Sequence, residues 1–295
     1  MEKEKNMKIL VTGMSGFMAG RFFQYLAREH NEVTTVGFDK AHGQNLTDYH
    51  AVYQAVHGMD AVFHFGALTH IDTSIENPKP FLDSNIWGTF NILEACRLHR
   101  VKLVQISSSE IYGSLTDTEQ ANGVRQSETF RLNPQSPYAA TKVSQDTMCT
   151  AWYHTYGTDV RVVRPFNQWG PGQDIRKMIP KFFKQVSQGE PITVYGDGLS
   201  TRDWVWVDDF VEGVWRSLEL PAGTVCNVAT GQSYTVLEVV EKIQRLLGRV
   251  ESKVVLVNHT DERDGYVKHL RGDGFKIASL LGWTPKVGLD EGLPR

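Results

Sequence analysis

An α/β chain built on one parallel sheet, with helices on both faces and a smaller region after about residue 166, is what this sequence predicts. Three observations carry that prediction. From Lys8 to Pro165, short β-branched runs alternate with longer amphipathic stretches. The short runs are almost continuously apolar, as strands covered on both faces are. After Pro165 the rhythm breaks, Pro and Gly become frequent, and the apolar runs shorten and scatter.

Each element follows from its own pattern. "KILVT" reads as a strand, residues 17–28 as a helix, and "EVTTVGF" as a second strand. Residues 48–57 are helical in spacing, "AVFHFGA" is a strand, and residues 79–99 form one long helix. "VKLVQIS" is a strand, residues 136–156 a helix, and "DVRVVRPF" a strand that closes the regular part. The 116–134 stretch is polar and reads as a surface loop. Residues 1–166 therefore form the main domain and 167–295 the smaller one, with a helix at 208–218 expected to return to the main sheet.

Composition narrows the class. The chain has 295 residues, 41% hydrophobic and 22% charged, with a formal net charge of −3, a soluble globular balance with no electrostatic footprint for nucleic acid. Cys96, Cys149 and Cys226 lie far apart with no CxxC spacing, which argues against a metal cluster or a disulfide framework. The charged opening "MEKEKNMKIL" lacks the apolar core of a secretory signal, and no apolar run approaches a membrane span. A cytoplasmic protein is the expectation.

Chemistry enters at the first turn. "VTGMSGFMAG" sets Gly13, Gly16 and Ala19 in a GxxGxxA pattern between the first strand and the first helix. Small residues there let the backbone approach a pyrophosphate, and the helix N-terminus offers N–H groups and positive potential. Asp39, at the end of the second strand and 26 residues beyond Gly13, can accept hydrogen bonds from both ribose hydroxyls and would repel a 2′-phosphate. The pattern predicts a Rossmann-type, doubly wound sheet holding NAD rather than NADP.

A second constellation lies further on. "SPYAATK" places Tyr138 and Lys142 four apart at the start of a helix, so they share a face. Lys142 is expected to lower the Tyr138 pKa toward neutrality and make it a usable base. In "QISSSEIYGS" three serines end a strand, and a hydroxyl there can share the proton that Tyr138 takes. Glu110 follows directly, and it reads either as a loop acid bonded to local N–H groups or as a proton acceptor.

With these residues in view, the chain resembles an extended short-chain dehydrogenase/reductase of the nucleotide-sugar epimerase/dehydratase family. The likeness runs from "KILVTGMSGF" through "DSNIWGTFNILEAC", "SPYAATK" and "RPFNQWGPGQ" to "VYGDGLSTRDWVWVDD" and "LLGWTP", nearly the whole chain. It implies that Ser15, Phe17, Met18, Asn45, Leu46, Phe65, Gly66, Ala67 and Pro165 join Gly13, Gly16, Asp39, Tyr138 and Lys142 around NAD. His64 would lie beside that cofactor. On the nucleotide-sugar side it implies Thr69, Asn85, Asn167, Arg176, Arg202 and Arg263, with Asn85 also fixing the catalytic helix. It further implies a homodimer through helices 79–99 and 136–156, to which Leu98, Met148 and Trp152 could contribute.

Departures from the family pattern matter too. Asn45-Leu46 stands where an Asp-Ile/Leu pair often reaches the adenine, "HFGA" replaces the usual HLAA, and Gln168-Trp169 replaces commoner residues near the sugar. In the family, a carboxylate two residues past the catalytic hydroxyl removes the C5 proton of a 4-keto sugar, so Glu110 implies a 4,6-dehydratase, nearest the dTDP-glucose branch. Ser109 sits where the strongest dehydratase pattern has aspartic acid. A 4-epimerase, which needs no further base, is the alternative, and a uronate decarboxylase a third.

Overall fold

The structure is a computed structural model and describes residues 6–257 and 265–295. Its strands, in chain order, are β1 Lys8–Thr12, β2 Thr34–Phe38, β3 Ala61–His64, β4 Lys102–Ile106, β5 Val160–Pro165, β6 Asn167–Trp169, β7 Ile192–Tyr195, β8 Thr201–Trp206, β9 Val225–Val228, β10 Ser233–Thr235 and β11 Val254–Val257. Six make one parallel sheet in the order β2-β1-β3-β4-β5-β9, and the direction of winding reverses between β1 and β3. In such sheets the crevice for a ligand opens at the carboxyl ends of the strands where the order reverses.

Helices cover both faces because each presents one apolar stripe. Helix Phe17–Glu29 buries Ala19, Phe22 and Leu26, and the Phe22 ring packs 4.7 Å from Phe63 and 5.4 Å from Phe65, centroid to centroid. Burial of a side chain of that size contributes about 2–3 kcal/mol. On the opposite face, helices Tyr49–Val56 and Gly88–His99 close over Leu10, Val62 and Leu103.

The second region returns to the sheet twice. Helix Val207–Arg216 packs on Phe17–Glu29, the return expected near 208–218, and β9 adds a sixth strand against β5 in the register Val163↔Cys226. Residue 166 is therefore not a clean boundary. The rest of that region is a small lobe in which sheets β10-β8-β6 and β11-β7 are packed by helices Met178–Gln188 and Val236–Leu246 around Trp169, Phe182, Trp206 and Val240.

Two local expectations change. The 79–99 segment is not one regular helix: a π-helical turn, Leu82–Trp87, lies between Lys79–Phe81 and Gly88–His99. Within it Asn85 turns inward, and its side chain closes on both the N–H and the carbonyl of Leu68 at 2.8 and 2.9 Å. The 116–134 loop also carries a short helix, Asp117–Ala121, fixed by a reciprocal capping box between Thr116 and Glu119.

Candidate active site

The crevice at the β1/β3 reversal is built by close approach of backbone. Gly13 has φ +73°, its N–H donates to Phe38 O at 2.9 Å, and a Cβ there would stand 2.9 Å from both Cα and N of Gly66. Only glycine combines that dihedral with that gap. Gly16 opens helix Phe17–Glu29 with no side-chain cap and no acid in the first turn, so its terminal N–H groups stay available to an anion. The Asp39 carboxylate stands at the lip, accepting from Ser15 N at 2.9 Å and Ala41 N at 2.8 Å. These features fit a dinucleotide.

A cavity of about 1180 Å3 leads from this turn into the small lobe. Gly13, Gly16, Phe17, Met18, Phe65, Ala67 and Pro165 line it, as do Thr69, Asn167, Arg176 and Arg202. Ser15, Asp39, Asn45, Leu46 and Gly66 do not line it. Leu46 packs across Gly66 and Gly88, where a Cβ would fall within 2.7 and 2.8 Å of it, so it acts as packing under the turn. Exposed Asn45 spends its side-chain oxygen on Thr47 N at 3.1 Å, a local turn bond.

Two residues expected at the ligand are instead sealed below it. His64 is fully buried, with Nδ1 2.6 Å from Thr12 Oγ1 and Nε2 3.1 Å from Thr89 Oγ1. Burial, reinforced by the charge of Lys142, pulls its pKa down to about 3, so the ring is a neutral bridge. Asn85 is also fully buried, and its amide donates to Thr141 Oγ1 at 2.9 Å besides clamping Leu68. It has no surface to offer a substrate; its bond to Thr141 ties it to the catalytic helix.

The reactive cluster forms where β4 meets helix Pro137–Tyr156. Ser108 lies two residues past β4, and its Oγ accepts from Glu110 N at 3.2 Å, starting the tight turn Ser109–Tyr112. Ser136 caps the helix by accepting Ala139 N, and Pro137 fills its first position. Tyr138 is thereby aimed at the cavity, hydrogen-bonded to Ser108, while Lys142 donates its ammonium to Ile106 O at 2.9 Å.

Electrostatics here depart from the sequence-based expectation. Burial raises the Tyr138 phenol to about 12, with the Ser108 bond opposing and Glu110 adding to the rise. Lys142 is not among the groups that shift it, and burial lowers Lys142 itself to about 7. Ser107, Ser108, Ser109 and Glu110 all line the cavity. Glu110 keeps part of its surface toward that space, yet desolvation raises its pKa, and the charge of Arg202 only partly offsets this. Among the described residues its carboxylate has no hydrogen-bond partner. The arrangement can move protons: a phenol, a hydroxyl and a desolvated carboxylate face one space.

The expected anion-binding arginines are less free than their positions suggest. Arg202 donates to the carbonyls of Thr201, Lys268 and Val267 at 2.9, 3.0 and 2.6 Å. Arg176 is exposed and forked onto Asp174. Arg263 lies outside the described residues. Asn167 keeps its side-chain oxygen without a partner among the described residues. Lys177, Lys181 and Tyr195 also line the cavity and were missed from sequence. Lys177 and Lys181 stand at the start of helix Met178–Gln188, a few residues past the Gly-Pro-rich "GPGQ" tract, while Tyr195 ends β7.

Comparison with known proteins agrees with this geometry. The family model described as GDP-mannose 4,6 dehydratase matches residues 3–295. The chain is 34% identical over 306 residues to a dTDP-glucose 4,6-dehydratase of Mycolicibacterium smegmatis, covering 95% of this chain and 88% of that one. A dTDP-glucose 4,6-dehydratase of Streptomyces venezuelae, solved with NAD and TYD bound, superposes with a TM-score of 0.87 at 31% identity, covering 97% and 94% of the two chains. A UDP-glucuronic acid 4-epimerase of Bacillus cereus, solved with UDP-glucuronic acid and NAD, gives a TM-score of 0.87 at 25% identity, covering 98% and 97%. With the reversal-point crevice and the Ser-Tyr-Lys cluster in place, the chain belongs to the GDP-mannose 4,6 dehydratase family, within the extended short-chain dehydrogenases/reductases.

Proposed function

We propose that this protein is an NAD-dependent nucleotide-sugar 4,6-dehydratase. The observation that carries the reading is Glu110, a desolvated carboxylate with raised pKa lining the same cavity as Ser108 and Tyr138. The Gly13–Gly16 turn would hold NAD, which would supply the hydride acceptor for C4 and the hydride that C6 needs. Tyr138 takes the O4 proton, with the Ser108 hydroxyl sharing it. The C4 ketone acidifies C5–H, and Glu110 accepts that proton. The C–H electron pair becomes the C5–C6 double bond as the C6–O bond breaks, and hydroxide leaves as water. Glu110, protonated by the previous step, can give the leaving oxygen its proton, a task Ser109 cannot perform as an acid; C5 then takes a proton from solvent as hydride is delivered to C6, and Tyr138 releases the O4 proton to solvent.

A neutral hexose suits this cavity better than a uronate. A C6 carboxylate would set a second negative charge beside Glu110, while Arg202 already spends its fork on three backbone carbonyls. The second reading, a 4-epimerase, draws on the UDP-glucuronic acid 4-epimerase among the neighbours and needs no role for Glu110. Mass spectrometry of reactions with UDP-, dTDP-, GDP- and CDP-hexoses in deuterated water separates the two. A product lighter by one water with deuterium at C5 is the expected result; an unchanged mass with a C4 epimer would overturn the proposal.

A further inference from the structure

We infer that Arg164 is a positioning residue, registering the turn that bears Glu110 against the helix that bears Tyr138 and Lys142. Arg164 lies on β5, 5% exposed and away from the cavity lining. Its guanidinium forks onto Asp146, Nε to Oδ2 and Nη2 to Oδ1, both at 2.8 Å. Asp146 sits one helical turn beyond Lys142 on the catalytic helix. On its other side Arg164 Nη1 donates to the Tyr112 hydroxyl at 3.0 Å and to Glu128 O at 2.9 Å. Tyr112, fully buried, is the last residue of the Ser109–Tyr112 turn, and its hydroxyl donates to Asn227 Oδ1 at 2.7 Å.

One planar cation therefore touches both elements whose side chains would move protons. The near end of the turn is held by Ser107 N donating to Val163 O at 2.8 Å and by Glu110 N donating to Ser108 Oγ at 3.2 Å, and its far end shares in fixing where Glu110 stands. That end is anchored by Tyr112 and by Asn133 N donating to Ile111 O at 2.9 Å. Lysine could not replace Arg164, because a single ammonium cannot fork onto a carboxylate and reach a phenol beyond it.

This inference rests on the proposed role of Glu110, and the two can fail separately. Tyr112→Phe keeps the buried ring and the Arg164–Asp146 fork but removes the link to the turn. In single turnovers of the NAD-loaded enzyme in deuterated water, wild type should form the reduced nicotinamide, exchange C5 and lose water. In Tyr112→Phe the reduced nicotinamide should form at the wild-type rate, while C5 exchange and water loss slow about tenfold or more, since small displacements of reacting groups are costly. Arg164→Lys should slow both steps, since it frees both elements. If the ratio of C5 exchange to C4 oxidation is unchanged in both variants, Arg164 is only packing and the inference is wrong. If wild type itself never exchanges C5, the dehydratase reading falls, and this inference with it.

Discussion

Replacing Glu110 by glutamine separates the two chemistries that this scaffold could perform. The change keeps the shape of the side chain and leaves Arg202 on its three carbonyls, so the turn should stay folded. What it removes is a proton acceptor, worth about 10²–10⁴-fold in rate when positioned. It also removes a charge that raises the Tyr138 pKa, so the first step should be unharmed or slightly faster. The expected outcome is normal reduced-nicotinamide formation with water loss down by that factor, followed by stopped-flow absorbance and by deuterium at C5. The pH profile carries a second signature. Because Glu110 must be deprotonated to act and its pKa is raised, the acid limb of water loss should lie above the ordinary glutamate range and disappear in the variant. The sign for stability is opposite: a carboxylate with raised folded-state pKa costs stability above that pKa, so Glu110→Gln should melt higher at neutral pH. Turnover within a few-fold of wild type would refute the argument and return Glu110 to the role of a loop acid.

Gly13→Ala should weaken NAD binding and destabilise the fold by about 1–3 kcal/mol, because it forces φ +73° on a residue whose Cβ meets Gly66; calorimetric titration and melting test it. Asn85→Ala should cost about 1–3 kcal/mol, because it removes the clamp on Leu68 and a bond to buried Thr141, and leave the KM for the nucleotide sugar little changed; a large rise in KM with normal melting would restore Asn85 to the substrate. Light scattering should give twice the 33.3 kDa chain mass, because Trp87, Leu98 and Tyr156, 57%, 48% and 54% exposed, stand out on the two long helical segments; a monomer at assay concentration would exclude that pairing.

What the sequence could and could not convey divides along a physical line. Patterns of period and composition were legible: strands buried on both faces, the Ala19-Phe22-Leu26 stripe, the glycine turn, and Tyr138 with Lys142 on one helical face. Interactions between distant segments were not. β9 is a four-residue run containing Asn227, which looks polar in isolation; its carbonyl and amide bond Tyr112, Gln126 and Asp273, partners up to 115 residues away. The π turn likewise holds Asn85 on Leu68, a contact that no helical period announces. The Tyr138 pKa shows the same limit in energetic form. Spacing identifies the neighbour that would lower it, but desolvation acts on both partners at once and is set by everything packed around them. Arg164, buried in a strand that reads as apolar, belongs to this class: its charge is tolerated in the sheet because Asp146, on the catalytic helix, pairs with it. Buried charges within apolar strands are therefore the positions at which a sequence of this kind most rewards a structure.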